Sequence, residues 1–125
     1  MSDKKKILVV EDEMSVALMM TFLLARAGCD VTTAHNGKNA MELATSCKFD
    51  LIMLEVDLPD INGFEICREL KQRHISYRTP IIFLTGRPHE EERQRAFELG
   101  AVDYLEKPFE MSDFISRIAP YAQKL

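Results

Sequence analysis

Asp50-Leu51-Ile52-Met53-Leu54-Glu55-Val56-Asp57 is the stretch that decides the fold of this chain. Residues 51–54 are continuously apolar and short, which suits a strand covered on both faces in a parallel sheet. Acidic residues follow at once. Working outward, the pattern returns in Ile7-Leu8-Val9-Val10, followed by Glu11 and Asp12, and in Ile81-Ile82-Phe83-Leu84, followed by Thr85 and Gly86. A weaker version, Ala101-Val102-Asp103-Tyr104-Leu105, leads into Glu106, Lys107 and Pro108, and the more polar Asp30-Val31-Thr32-Thr33-Ala34 suits an edge strand.

Segments with helical spacing separate these runs. The clearest predicts a helix over Ser15–Ala27, with Val16, Met19, Met20, Leu23, Leu24 and Ala27 inward and Gly28 as its stop. A second follows the Asn36-Gly37 turn with Ala40, Leu43 and Ala44 inward, and a third follows Asn62-Gly63 with Phe64, Ile66, Cys67 and Leu70. The fourth, from about His89 to Leu99, opens with Glu90, Glu91 and Glu92 at the positive end of the helix dipole and closes at Gly100. The last starts near Ser112 and repeats Phe114, Ile115, Ile118, Ala119 and Ala122, with Pro120 expected to end or kink it. Five β-then-α units predict an α/β fold: a five-stranded parallel sheet, doubly wound, in one domain spanning residues 1–125.

With 46% apolar residues the chain can bury a core without staples. Its 16 basic and 20 acidic residues, net charge −4, disfavour a general nucleic-acid surface. Lys4-Lys5-Lys6 reads as the solubilising flank of a buried strand. Cys29, Cys47 and Cys67 are odd in number and lack zinc or redox spacing, so reduced, mostly packed thiols in a cytoplasmic protein are expected. No apolar stretch is long enough to cross a bilayer. His35, His74 and His89 have no metal-site spacing, and Met14, Met19, Met20 and Met41 read as core filler.

In open α/β sheets, sites form beyond the carboxyl ends of the strands. Here those ends deliver Glu11 and Asp12, Glu55 and Asp57, Thr85, and Lys107. Any one of these alone is more simply a solvated loop residue; together they point to a site. Carboxylates crowded at about 4 Å repel by roughly 4 kcal/mol per pair at an effective dielectric near 20, so a cation is implied. Lys107 supplies one charge, and a hard divalent ion such as Mg²⁺ would supply more. That ion with a lysine and a hydroxyl is equipment for neutralising and orienting a phosphoryl group.

Val9-Val10-Glu11-Asp12-Glu13, Leu54-Glu55-Val56-Asp57-Leu58-Pro59 with Gly63, Phe83-Leu84-Thr85-Gly86 and Tyr104-Leu105-Glu106-Lys107-Pro108-Phe109 occur in order with fitting spacing. In these motifs the chain resembles the receiver domains of two-component response regulators, of the chemotaxis-regulator kind with a flavodoxin-like fold, over essentially its whole length. The resemblance implies Mg²⁺ on Glu11, Asp12, Glu55 and the backbone carbonyl of Asp57, the switching hydroxyl on Thr85, the partner lysine on Lys107, the aromatic switch on Tyr104 and a cis Lys107-Pro108 bond. It also implies a sensor histidine kinase or phosphotransfer protein upstream. Downstream it implies a protein partner, or a second copy in a homodimer, on the face of the fourth helix, last strand and last helix near Arg87, Arg93, Tyr104 and Lys107. Since the sequence stops after the last helix, output is expected through another protein or a domain outside this sequence.

The phosphoacceptor position falls on Glu55, where the family pattern carries aspartate. One extra methylene displaces the carboxylate by up to about 1.5 Å, and a 1 Å misplacement costs on the order of a hundredfold in rate. Phosphorylation is therefore expected to be impaired, in a natural pseudo-receiver or through an introduced substitution. Glu55 either reaches toward Lys107 or Thr85, partly imitating the activated state, or only fills the pocket. The alternative class is a small phosphatase or phosphotransfer enzyme on the same fold, with Asp12 or Asp57 as nucleophile; it would need a substrate cap, for which the chain leaves little room.

Overall fold

The computed structural model describes residues 4–73, 78–86 and 89–122. Strands and helices alternate: β1 Lys6–Val10, α1 Met14–Arg26, β2 Asp30–Ala34, α2 Gly37–Ser46, β3 Leu51–Glu55, α3 Gly63–Arg73, β4 Ile81–Thr85, α4 Glu90–Glu98, β5 Asp103–Glu106 and α5 Met111–Ala122. All neighbouring strands are parallel, in the order β2-β1-β3-β4-β5, so β2 is an edge as its polar sequence implied.

The continuous apolar runs have the expected reason. Leu8, Val10, Ile52, Leu54, Ile81 and Phe83 face a core completed by α2, α3 and Ala96 of α4, while Ile7, Val9, Leu51, Met53, Ile82 and Leu84 face a second core completed by α1 and α5. Helices on both faces leave no strand side for polar residues, and each buried Leu, Ile or Phe stabilises by about 1.5–3 kcal/mol. Phe64 and Phe83 meet edge-to-face at 4.8 Å, tying α3 to β4.

Several helix details depart from the sequence reading. Helix α1 spans Met14–Arg26 and buries Ala17, Met20, Leu23 and Leu24. Met14, Leu18, Met19 and Phe22 are instead exposed on its outer side, so Met19 and Ala27 are not core and two of the four methionines assigned as filler face solvent. The reason is that α1 is apolar nearly all round, and periodicity alone does not say which arc meets the sheet. Arg26 covers part of that face, its guanidinium 5.6 Å from the Phe22 ring centre.

Helix α5 begins at Met111 and runs through Pro120 to Ala122. Pro120 is exposed and only two helical residues follow it, so the missing N–H falls in the last turn, where the broken ladder costs least. Ile115 is exposed while Phe114, Ile118 and Ala122 are buried. Gly28 (φ 88°) and Gly100 (φ 95°) terminate α1 and α4 in the left-handed conformation expected of them. Cys29 and Cys67 are buried, whereas Cys47 is exposed at the end of α2. His74 and Arg87 lie outside the described residues.

The β3–α3 loop is clamped from two sides. Asp60 accepts hydrogen bonds from the N–H groups of Gly37 (2.7 Å) and Lys38 (2.9 Å) at the start of α2, and these hold its carboxyl below the usual range. Gly63 N–H donates to the Val56 carbonyl at 2.8 Å, and a Cβ on Gly63 would run into the carbonyl oxygen of Glu55. Only glycine allows α3 to start so close to the end of β3. Gly63→Ala should therefore lower stability by about 1–3 kcal/mol, read as a reduced urea midpoint with unchanged slope.

Candidate functional site

The sheet order reverses between β1 and β3, and this is where the polar residues meet. Val10 pairs with Leu54 in register, so the next residues, Glu11 and Glu55, leave the two central strands side by side. Glu11 is fixed through its backbone, its N–H donating to Ala34 O (3.0 Å) and its carbonyl accepting from His35 Nδ1 (3.0 Å). Thr85 pairs with Glu106 across β4 and β5, and Lys107 N–H donates to Thr85 O at 2.7 Å. The Lys107–Pro108 peptide that follows is cis, as the resemblance implied.

Lys107 Nζ donates to Glu55 Oε1 at 2.7 Å and to Glu11 Oε1 at 2.8 Å, with Glu13 Oε1 at 3.4 Å. Both principal partners are buried, and the lysine side chain is itself only 9% exposed. The remaining oxygens of the two buried acids are also engaged: Glu55 Oε2 accepts from Val56 N–H at 2.9 Å, and Glu11 Oε2 from Glu13 N–H at 3.1 Å. Glu55 thus folds back on its own strand end and meets Lys107, while Thr85 is buried and associates with the hydroxyl of Tyr104.

One ammonium serves two buried carboxylates, and the charge balance shows it. Burial raises the Glu55 carboxyl to about 7, only partly offset by the hydrogen bond from Lys107, with Glu11 adding repulsion. Burial likewise raises Glu11 against the pull of Lys107. For Lys107 burial acts to discharge it, but the bonds to Glu11 and Glu55 outweigh that and raise it. The lysine is therefore the group that stays charged, and both buried carboxylates take upward shifts because one ammonium does not offset the burial of two.

Oxygens of Glu11, Asp12 and Glu55 lie within 4.8 Å of one another. An all-carboxylate set, two members buried and one exposed, has the hard donors that Mg²⁺ takes, so the residues fit such an ion, in competition with Lys107 for the buried pair. Asp12, Glu55, Asp57, Gly86 and Lys107 border an open cavity of about 500 Å³ beside them. Asp57 is exposed there. The sequence reading thus named the residues that converge. It missed Glu13 as a third lysine contact, although the acid run after β1 was visible. It also missed Glu92, whose Oε1 accepts from Tyr104 Oη at 3.1 Å; three residues past His89, it was read only as part of an acidic first turn.

Residues 7–119 match the response regulator receiver domain family. The chain belongs to that family. Against the alkaline phosphatase synthesis transcriptional regulatory protein PhoP of Bacillus subtilis, this receiver is 41% identical over 114 residues, covering 91% of the chain and 47% of the relative. It spans about half the length of the curated relatives it matches. The structure of chemotaxis protein CheY4 from Vibrio cholerae superposes with a TM-score of 0.87 at 30% identity, covering 94% of this chain and 98% of the other. The receiver domain of sensor histidine kinase PA1611 from Pseudomonas aeruginosa, which carries a magnesium ion in its active-site cleft, superposes at 0.84 with 28% identity and covers 94% and 97% of the two chains. The five-stranded doubly wound sheet read from the sequence is thus the receiver fold, and no described helix is long and apolar enough to cross a membrane.

The raised Glu55 carboxyl makes stability pH-dependent. Between its ordinary value of 4.5 and about 7, the folded state keeps a proton that the unfolded state has released, so stability falls as pH rises through this window. Glu11 acts in the same direction, while Lys107, raised, contributes a constant amount here. Urea titrations should show a decline on the order of 2 kcal/mol from pH 4.5 to 7. Glu55→Gln should remove the share due to Glu55 and leave that due to Glu11.

Proposed function

We propose that this chain is a single receiver domain, residues 1–125, with Glu55 at the phosphoacceptor position and impaired phosphoacceptance. The observation that supports this most is that both Glu55 oxygens are engaged, one by Lys107 and one by Val56 N–H, so attack on a phosphoryl donor would first have to draw the carboxylate out of these contacts.

In this reading Glu11, Asp12, Glu55 and the backbone carbonyl of Asp57 would hold Mg²⁺. The ion, when bound, would neutralise and orient phosphoryl oxygens. Lys107 holds the carboxylates in place and would pair with an anion that displaced them, while Thr85 and Tyr104 stand at the positions of the switching hydroxyl and the aromatic switch, between the site and the face of α4, β5 and α5. One carboxylate against an ammonium imitates a phosphoryl group incompletely, since the latter brings roughly two charges and three free oxygens. Upstream, a sensor histidine kinase or phosphotransfer protein is the partner class; downstream, a protein or a second copy meets the α4–β5–α5 face. No nucleic acid and no catalytic turnover are assigned to this fold, whose place is the cytoplasm.

Incubation with Mg²⁺ and acetyl phosphate should give no stoichiometric mass gain of about 80 Da, and Glu55→Asp should restore it. A base-labile adduct on Glu55 itself would overturn the reading. Mg²⁺ binding should survive in the unaltered chain and release protons, because the ion requires Glu55 ionised and its carboxyl sits at about 7. Calorimetry near pH 6.5 in two buffers of different ionisation enthalpy should give different apparent heats, and Glu55→Gln should abolish most of that difference.

A further inference from the structure

We propose that Glu92 is a positioning residue that latches Tyr104 inward and keeps the groove between α4, β5 and α5 open whatever occupies the carboxylate site. The inference rests on the reading of Tyr104 as the switch residue of this receiver.

Tyr104 is buried, its ring packed in the core that includes Phe83, Ala96 and Ala101. A phenol buried in this way needs an acceptor for its O–H. Besides its contacts with Thr85 and the His89 backbone, the Tyr104 hydroxyl donates to Glu92 Oε1 at 3.1 Å, an acceptor supplied by the first turn of α4. Burial, followed by this hydrogen bond, pushes the phenol up to about 12, so the proton that the latch needs stays in place at all ordinary pH. With a carboxylate as acceptor, Thr85 can turn toward the site without releasing Tyr104. Hydrogen bonds to charged acceptors are the stronger kind, and losing one shifts a two-state population by about tenfold or more.

The position of the ring matters because Tyr104 lines a groove of about 640 Å³ together with His89, Arg93, Phe109 and Arg117. Held inward, the ring leaves that space to a partner; swung outward, it would enter it. Glu92 thereby separates readiness of the partner face from the chemistry at Glu55.

The test uses ¹⁹F NMR of the full chain carrying 3-fluorotyrosine, with Tyr77→Phe and Tyr121→Phe leaving Tyr104 as the reporter. A single buried-type resonance is expected, and in a Glu55→Asp background Mg²⁺ with beryllofluoride should not move it between states. Glu92→Ala should produce a second, solvent-exposed state, with the population ratio changed by about tenfold or more. Glu92→Gln, which keeps an acceptor oxygen at the same reach, should restore the single state. Glu92 is only partly buried, and an unchanged amide spectrum verifies the fold of each variant. An unshifted single resonance in Glu92→Ala, or a Glu92→Gln chain that behaves like Glu92→Ala, overturns the latch. Phosphorylation of unaltered Glu55, read by mass, would overturn only the earlier reading.

Discussion

The carboxylate end of this molecule depends on one ammonium group. Lys107 reaches from the loop after edge strand β5 to the ends of β1 and β3, in contact with Glu11, Glu55 and Glu13. Without that charge, buried carboxylates at adjoining strand ends would repel by roughly 4 kcal/mol per pair at an effective dielectric near 20. Parallel strands cannot spread to relieve the strain, because both faces of the sheet are sealed by helices. A lysine whose own discharge is opposed by its partners is therefore as much a part of this end of the fold as the apolar core beneath it.

Glu55 is held by the same arrangement. Its extra methylene is absorbed by a turn back to Val56 N–H, a bond from the residue's own strand end. The close start of α3 at Gly63 packs against the same backbone from the other side. Position 55 is thus constrained by sheet, helix and lysine at once, and a divalent ion arriving there competes with an existing ion pair rather than entering an unbalanced acidic pit. The carboxylate cluster and the groove between α4, β5 and α5 each have their own anchor, Lys107 at one and Glu92 at the other.

How far the sequence reaches is clear from particular residues. Runs such as Leu51–Leu54 were legible because short apolar runs that recur between helical segments and end in acids suit strands covered on both faces. Parallel register then places Glu11 beside Glu55, so the convergence of the site residues follows from topology alone. Rotation of α1 was not legible: with Met14, Leu18, Met19 and Phe22 as apolar as the residues it buries, only packing chooses the arc. Nor was the persistence of α5 through Pro120, since the cost of proline depends on how many turns follow it. Charge pairing was half legible, because the excess of acids was visible but the partition of one lysine between two of them is a matter of ångströms.

The three cysteines carry a practical consequence. Cys29 and Cys67 are buried in opposite cores, whereas Cys47 stands exposed between α2 and β3, at the amino-terminal edge of the sheet and so on the far side from Lys107. Nature has in effect left a single addressable thiol. A dye or spin label attached there would report on this molecule's tumbling and encounters without touching its charged end, and would need no cysteine to be engineered in or out.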